Sequence, residues 1–278
     1  MLIHPFALSH DVWHDVIPRL ADEYDVVAMT LPGHWGGPKL RRREMTLRGY
    51  ADAVEVFLDK LGWDTCHIAG NSIGGWLACE LALRGRARSI VAIAPAGGWT
   101  RFSTTQLLCG LKFLLVAPFA LLGWATGELG ARIGWIRRLA LRTCVMDPRR
   151  VPDDRAANFV RASSRCPSFM PFMHFLWADL VYGGVKGLDR VDVKSTLMLC
   201  DSDWMVPPRR YGRFYADGLR DVVVVNLPDV GHCPMLENPE LVADALLDHL
   251  RRNKGDGLTE GQPISSARAT MMPEGPRR

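Results

Sequence analysis

Three polar residues far apart in this chain, Ser72, Asp203 and His232, are of the types that together perform nucleophilic acyl chemistry. A serine hydroxyl is a poor nucleophile near neutral pH. It needs an adjacent base, and an imidazole base needs an anion that holds its tautomer and stabilises its protonated form. Ser72 lies in Gly70-Asn71-Ser72-Ile73-Gly74, between the apolar run Cys66 to Ala69, which reads as a buried strand, and the stretch Ile73 to Leu83, which reads as a helix. A strand turning directly into a helix crowds the backbone around the serine, so glycine at Gly70 and Gly74 has a steric reason: it lacks the Cβ that would collide. The helix that follows aims free backbone N–H groups, that of Ile73 among them, at an oxyanion formed beside Ser72.

Asp203 follows an apolar run in Asp203-Trp204-Met205-Val206-Pro207, and His232 follows another in Gly231-His232-Cys233-Pro234. Singly, each has an ordinary explanation as a turn or loop residue. Together, after three strands and in the order Ser, Asp, His, they form the sequence of a catalytic triad built on a doubly wound sheet. Asp201, two residues before Asp203, stays open as the alternative acid.

The elements that would position these residues alternate. Helix is expected from Pro18 to about Glu23, strand at Asp25 to Met29, and a loop at Leu31 to Pro38. Thr46 caps a helix whose apolar residues Leu47, Tyr50, Val54, Leu58 and Leu61 recur at three- and four-residue steps. Another strand runs from Ser89 to Ala94, and the alternation then stops. From about Thr100 to Arg190 there are helical patterns and breakers without a convincing strand, and the strands resume at Ser195 to Leu199 and Val222 to Val225 before a last helix opened by Asn238-Pro239. This predicts an α/β fold with a mostly parallel sheet flanked by helices. Its parts are a core over 1–99, a helical cap inserted over 100–190, the rest of the core over 191–252, and a disordered tail over 253–278.

Leu107 to Ala125 is almost continuously apolar, but Lys112 sits inside it and Gly110, Pro118 and Gly123 interrupt it, so two short cap helices are expected rather than a membrane span. The stretch after it pairs an apolar stripe (Leu129, Ile133, Ile136, Leu139) with arginines elsewhere on the helix. Packing on a core is the favoured reading and peripheral contact with anionic lipid the alternative.

With 278 residues and a net charge of +4, the chain can bury a large core and carries no strong field. Its basic clusters, Arg41 to Arg43, Arg149-Arg150 and Arg251-Arg252, lack interleaved aromatics, so no nucleic-acid partner is expected. Seven widely spaced cysteines without a C-x-x-C pair read as reduced, mostly buried thiols of a cytoplasmic protein, and the N-terminus lacks the pattern of a signal peptide. No metal-ligand cluster or dinucleotide loop occurs, so no cofactor is expected. Oligomeric state is not legible.

Leu2-Ile3-His4 with Trp13, Leu31-Pro32-Gly33-His34, the elbow Gly70 to Gly75, Asp203 to Pro207, and Gly231-His232 with Glu237 and Pro239 resemble the α/β-hydrolase fold family, over nearly everything from Leu2 to Leu250. The similarity is to its serine-hydrolase branch of esterases and C–C hydrolases. It implies Ser72 as nucleophile, His232 as base, Asp203 as its orienter, and an oxyanion hole from the backbone N–H groups of Ile73 and Phe6. Pro5 stands where the family usually has glycine, and the N-terminal hairpin of family members is missing before His4. The resemblance implies hydrolysis of an ester or similar acyl compound, and an apolar insertion covering the site favours a small-to-medium hydrophobic one. Hydrolysis of C–C bonds in ring-cleavage dienoates is the alternative, with Arg101 or Arg161 of the cap as candidate carboxylate-binding groups, and an inactive binding protein on the same fold is another. Thioesterase or perhydrolase activity is compatible. Epoxide and haloalkane hydrolysis are less so, because relatives with that chemistry use aspartate in place of Ser72.

Overall fold

The computed structural model describes residues 1–171, 184–253 and 269–271. Short apolar runs become strands: β1 (Leu2–Ile3), β2 (Val26–Met29), β3 (Cys66–Asn71), β4 (Ala87–Ile93), β5 (Lys194–Cys200) and β6 (Val222–Leu227). They lie in the order β6-β5-β4-β3-β1-β2, and every pairing is parallel. From β1 the chain first adds β2 on one side, then returns to build β3, β4, β5 and β6 on the other. The direction of winding therefore reverses between β1 and β3. In an open parallel sheet, the crevice beyond the carboxyl ends of the strands at such a reversal is where ligands bind. His4 leaves β1 at that crevice and Ser72 leaves β3 there.

The composition beyond Asn253 predicts a tail without structure; residues 254–268 and 272–278 of it lie outside the described residues, and only its triplet 269–271 departs from that expectation. Ala269–Met271 forms a seventh strand, β7, parallel to β2 with Val26 opposite Ala269 and Ala28 opposite Met271. Without it β2 would present an open row of N–H and C=O groups, and the uncharged Ala-Thr-Met triplet can pair with that edge.

Helices cover both faces. α1 (Ile17–Ala21) carries Pro18 in its first turn, where a missing N–H costs nothing. α2 (Leu47–Leu61) starts where the Thr46 hydroxyl accepts from the Gly49 N–H at 3.1 Å and stops at Gly62, which takes the left-handed conformation (φ 71°). α3 (Ile73–Leu83) follows the elbow, and the last helix, Pro239–Arg252, is capped by the Asn238 side chain. Tyr50 and Leu58 of α2 and Leu77 and Leu81 of α3 bury one face of the sheet, while Leu20 of α1 and Leu246 of the last helix bury the other. Each such side chain taken fully out of water contributes about 1.5–3 kcal/mol.

Between β4 and β5 lie α4 (Thr104–Arg132), α5 (Gly134–Leu141) and α6 (Asp153–Ser164), with no strand among the described residues. The expected division of the apolar stretch into two short helices is not observed. α4 runs through Gly110, Pro118 and Gly123 and breaks its geometry only at Gly127 (φ 50°, ψ −124°). An interior proline costs about 3 kcal/mol, and the Leu- and Ala-rich sequence on both sides offsets this through high helix propensity. Among the described residues no helix is long and apolar enough to cross a membrane. Leu141, Val145 and Phe159 of this region join the same apolar cluster as Val91 and Met198 of the sheet, so the insertion and the core are packed as one.

Candidate active site

The turn from β3 into α3 holds Ser72 at φ 56° and ψ −113°, a conformation that costs a residue with a Cβ of order 1–3 kcal/mol. Its backbone is tied on both sides. The Ser72 N–H donates to the Ile93 carbonyl at 2.9 Å, and its own carbonyl accepts from the N–H groups of Trp76 (3.1 Å) and Ala96 (3.0 Å). The flanking glycines have separate tasks. A Cβ on Gly70 would lie 2.2 Å from the Gly74 carbonyl oxygen, inside the elbow, whereas a Cβ on Gly74 would lie 2.4 Å from the Ile3 carbonyl oxygen. The second glycine thus lets the start of α3 lie flush against the end of β1.

Asp203 and His232 come from the loops after β5 and β6. His232 Nδ1 lies 2.7 Å from Asp203 Oδ2, with both residues buried. The other Asp203 oxygen, Oδ1, accepts from the Val206 N–H at 2.8 Å, which fixes the carboxylate within its own turn. Asp201, the alternative acid, is exposed. Burial alone would push the His232 pKa down. The charge of Asp203 and its hydrogen bond outweigh that, and the net displacement is upward from 6.5.

The histidine loop is clamped from three directions. Asn71 Nδ2 donates to the His232 carbonyl at 2.9 Å and to the Ile93 carbonyl at 3.1 Å. The buried Glu237 carboxylate accepts from the Gly231 N–H (2.6 Å) and, with its other oxygen, from the Asp147 N–H of the insertion (2.8 Å). The Cys233 N–H donates to the Cys144 carbonyl at 2.8 Å, and a Cβ on Gly231 would meet the Met146 backbone nitrogen at 2.7 Å. Glycine before the histidine is therefore required by the closeness of the insertion.

The loop after β1 forms the opposite wall. His4 donates through Nδ1 to the Pro5 carbonyl (2.7 Å) and accepts at Nε2 from the Leu31 N–H (2.8 Å), a pattern only the neutral ring can make. Burial, and then the neighbouring His34, push its pKa well below 6.5. The fixed ring holds Pro5 and Phe6 in place, and the Phe6 ring meets His34 edge-on with centroids 5.5 Å apart.

Ser72, His232 and Phe6 line one cavity of about 120 Å³, with Met205 of the acid loop and Cys144, Phe159 and Phe169 of the insertion. Ile73, at the amino end of α3, directly follows Ser72. The structure thus gathers Ser72, His232 and Phe6 at one cavity and sets Asp203 behind His232. Arg101 and Arg161 are not among the described lining residues. The Arg161 guanidinium lies 2.6 Å from Glu128, and that of Arg101 lies 4.5 Å from the Phe102 ring centre. A larger cavity, about 240 Å³, opens at the amino ends of the strands beside His67 and Arg88 and contains none of these groups.

Two neighbours are not apparent from sequence reading. Asn71 reads as part of the elbow, although an amide at the end of an otherwise apolar strand is a signal that its hydrogen bonds matter. Cys144 reads as one more buried thiol. It lines the cavity, and hydrogen bonding with Cys233 lowers its pKa against the effect of burial, helped by the charge of His232.

Comparison with known proteins agrees with this architecture. The chain is 38% identical over 197 residues, 70% of its length and 91% of the relative's, to the epoxide hydrolase EphH of Mycobacterium tuberculosis. It is 33% identical over 98 residues, 34% of this chain and 37% of the relative, to the pimeloyl-[acyl-carrier protein] methyl ester esterase of Aeromonas hydrophila. In fold it resembles the meta-cleavage product hydrolase CumD of Pseudomonas fluorescens IP01, with a TM-score of 0.69 and 21% identity over 90% of this chain and 89% of that one. The model of the alpha/beta hydrolase family matches residues 1–245, and with a parallel sheet wound to both sides of β1 and a serine at the strand–helix elbow, the chain belongs to that family.

Proposed function

We propose that the protein is a serine-dependent ester hydrolase acting on a small-to-medium apolar substrate. The observation that carries this reading is a histidine bonded through Nδ1 to a buried carboxylate and sharing a small, largely apolar cavity with a serine held in a strained turn. With its Nδ1 proton directed to Asp203, His232 keeps Nε2 free to take the Ser72 proton as Oγ adds to the acyl carbon. The developing oxyanion meets the backbone N–H of Ile73 and that of Phe6. Collapse expels the alcohol, protonated by His232, and leaves an acyl-serine, which water activated by the same imidazole then hydrolyses. The described part of the insertion, residues 100–171, acts as a cap whose Cys144, Phe159 and Phe169 supply the apolar roof, and the seven unpaired cysteines fit a reducing, cytoplasmic setting.

The residue at the elbow bears on the epoxide-hydrolase relative. A carboxylate nucleophile opens an epoxide to an ester, which water can cleave. A serine that did so would become an ether, with no comparable route to release. Ser72 therefore favours acyl substrates. For dienoate cleavage, a cation is needed at the substrate carboxylates, and the two candidates in the insertion are held elsewhere, Arg161 on Glu128 and Arg101 over Phe102.

A fluorophosphonate probe and a p-nitrophenyl ester series of increasing acyl length test the reading. Labelling at Ser72 and a loss of at least about 10⁴-fold in kcat for a folded Ser72→Ala variant are expected. Ester turnover retained by Ser72→Ala would refute it.

A further inference from the structure

The first half of α4 presents leucines to water. Leu107, Leu111, Leu114, Leu115 and Pro118 recur at three- and four-residue steps along one face, and the leucines are 55%, 50%, 59% and 61% exposed. The opposite face is the docked one. Cys109 is buried, and Lys112 Nζ donates to the carbonyls of Trp204 and Met205 in the acid loop. So the helix docks through Cys109 and Lys112 and leaves the leucines facing water, where an ordinary surface helix carries polar residues.

α5 repeats the theme with charge. Trp135 (65% exposed), Arg138, Leu139 (40%) and Arg142 follow at steps of three, one and three and form its outer face. Indole, leucine and guanidinium on one face is the composition of a helix lying at a lipid–water boundary, where the ring sits among headgroups and the arginine stems reach toward phosphates. Residues 100–171 hold eleven Lys and Arg against four acids (Glu128, Asp147, Asp153, Asp154); Arg137, Arg149, Arg155, Arg161 and Arg165 are ion-paired, whereas Arg132, Arg138 and Arg142 are exposed and give this side its positive charge. A second copy brought face to face would set two such fields against each other, whereas an anionic bilayer complements one.

We propose that the outer faces of α4 and α5 dock on an anionic phospholipid membrane, setting the roof of the Ser72 cavity against the lipid. This rests on the surface alone and is read by binding, so it stands or falls apart from the chemistry at Ser72.

The test is co-sedimentation of the full chain with phosphatidylcholine vesicles, with and without about one third phosphatidylglycerol, at low salt and at about 0.5 M salt. The expected result is capture by the anionic vesicles at low salt and release on adding salt. Arg138→Glu with Arg142→Glu, and separately Leu111→Ser with Leu115→Ser, should each weaken capture at least about tenfold, on the scale of roughly fivefold per arginine at such a surface. Circular dichroism checks folding, and hydrolysis of a water-soluble ester by the leucine variant should match that of the unaltered chain. The salt dependence of the unaltered protein is informative even if a variant fails to fold. Absence of capture at low salt, equal capture by neutral vesicles, or capture indifferent to both variant pairs would overturn the proposal. So would a dimer in solution that dissociates in the leucine variant while no lipid binding is seen, which would assign the stripe to a second copy.

Discussion

Asn71 Nδ2 donates to the backbone carbonyl of His232 over 2.9 Å, so the residue preceding the elbow serine holds the loop of the histidine. The two lie 161 positions apart in the chain, and the same amide also holds the end of β4 through Ile93. Removing it frees the histidine loop without touching a reacting atom. Asn71→Ala is expected to lower kcat by about 10- to 100-fold with little change in KM, and to cost about 1–3 kcal/mol of stability through the unpaired buried carbonyls. Steady-state kinetics beside urea denaturation separates the two effects, and a fall confined to stability would remove Asn71 from the positioning role.

In the proposed mechanism, the raised pKa of His232 is expected to set the acid limb of the rate. Burial opposes the imidazolium, Asp203 stabilises it more, and the base is active only when neutral. The apparent pKa in kcat/KM is therefore expected above 6.5, with activity rising through it as pH increases. Asp203→Asn removes the stabilising charge and should move the limb downward as well as slowing turnover steeply. A limb that stays in place in Asp203→Asn would contradict the coupling.

Cys144 offers a chemical handle on the cavity. Its pKa is lowered by hydrogen bonding with Cys233, it is the only partly exposed cysteine of the seven, and it lines the same 120 Å³ space as Ser72. Iodoacetamide is expected to alkylate it ahead of the other six cysteines, which are buried. The added group would fill the cavity and abolish ester turnover. Peptide mass mapping against the time course of inactivation checks this, and Cys144→Ala should resist the reagent.

Stability should fall on mild acidification. His34 and His249 are buried and neutral, the latter between the Ser89 and Thr196 hydroxyls at 2.7 Å, and burial pushes both down to about 4. Unfolded histidine takes its proton near 6.5. Between pH 6.5 and about 4 the unfolded chain therefore binds more protons, and stability is lost as pH drops through that window. Each residue contributes about 1.4 kcal/mol per pH unit, or about 2.7 for the pair. His232 acts in the other sense and higher up, adding stability below 6.5 that fades as pH rises through its elevated folded value. Burial also lowers the pKa values of His4 and His67, which add to the same slope. Urea denaturation at several pH values measures it, and His249→Gln should reduce it by about 1.4 kcal/mol per pH unit.

Much of the frame was legible because it depends on local patterns. The Thr46 cap, the periodicity of Leu47 to Leu61 and the apolar runs that became β3, β5 and β6 needed no knowledge of distant contacts. The length of α4 is not legible from its breakers taken singly, because helix formation sums propensity over the whole run. β7 escaped notice because a three-residue strand has no periodicity of its own and forms only where β2 leaves an edge to pair with. Within the candidate site, residue types pointed to Ser72 and His232. The choice between Asp203 and Asp201 depended on which carboxylate the fold buries, and the clamps made by Asn71 and Glu237 join segments whose proximity no local pattern encodes.

Leu141, Val145 and Phe159 share their apolar environment with the strands beneath them. A hinged door would have to strip that contact at every turnover and wet the interior of the protein. The α5–α6 pair is better understood as fixed masonry, with substrate and product passing by rotation of individual side chains or beside it. Changes that enlarge the passage should alter which esters enter long before they alter how fast a bound ester is cleaved.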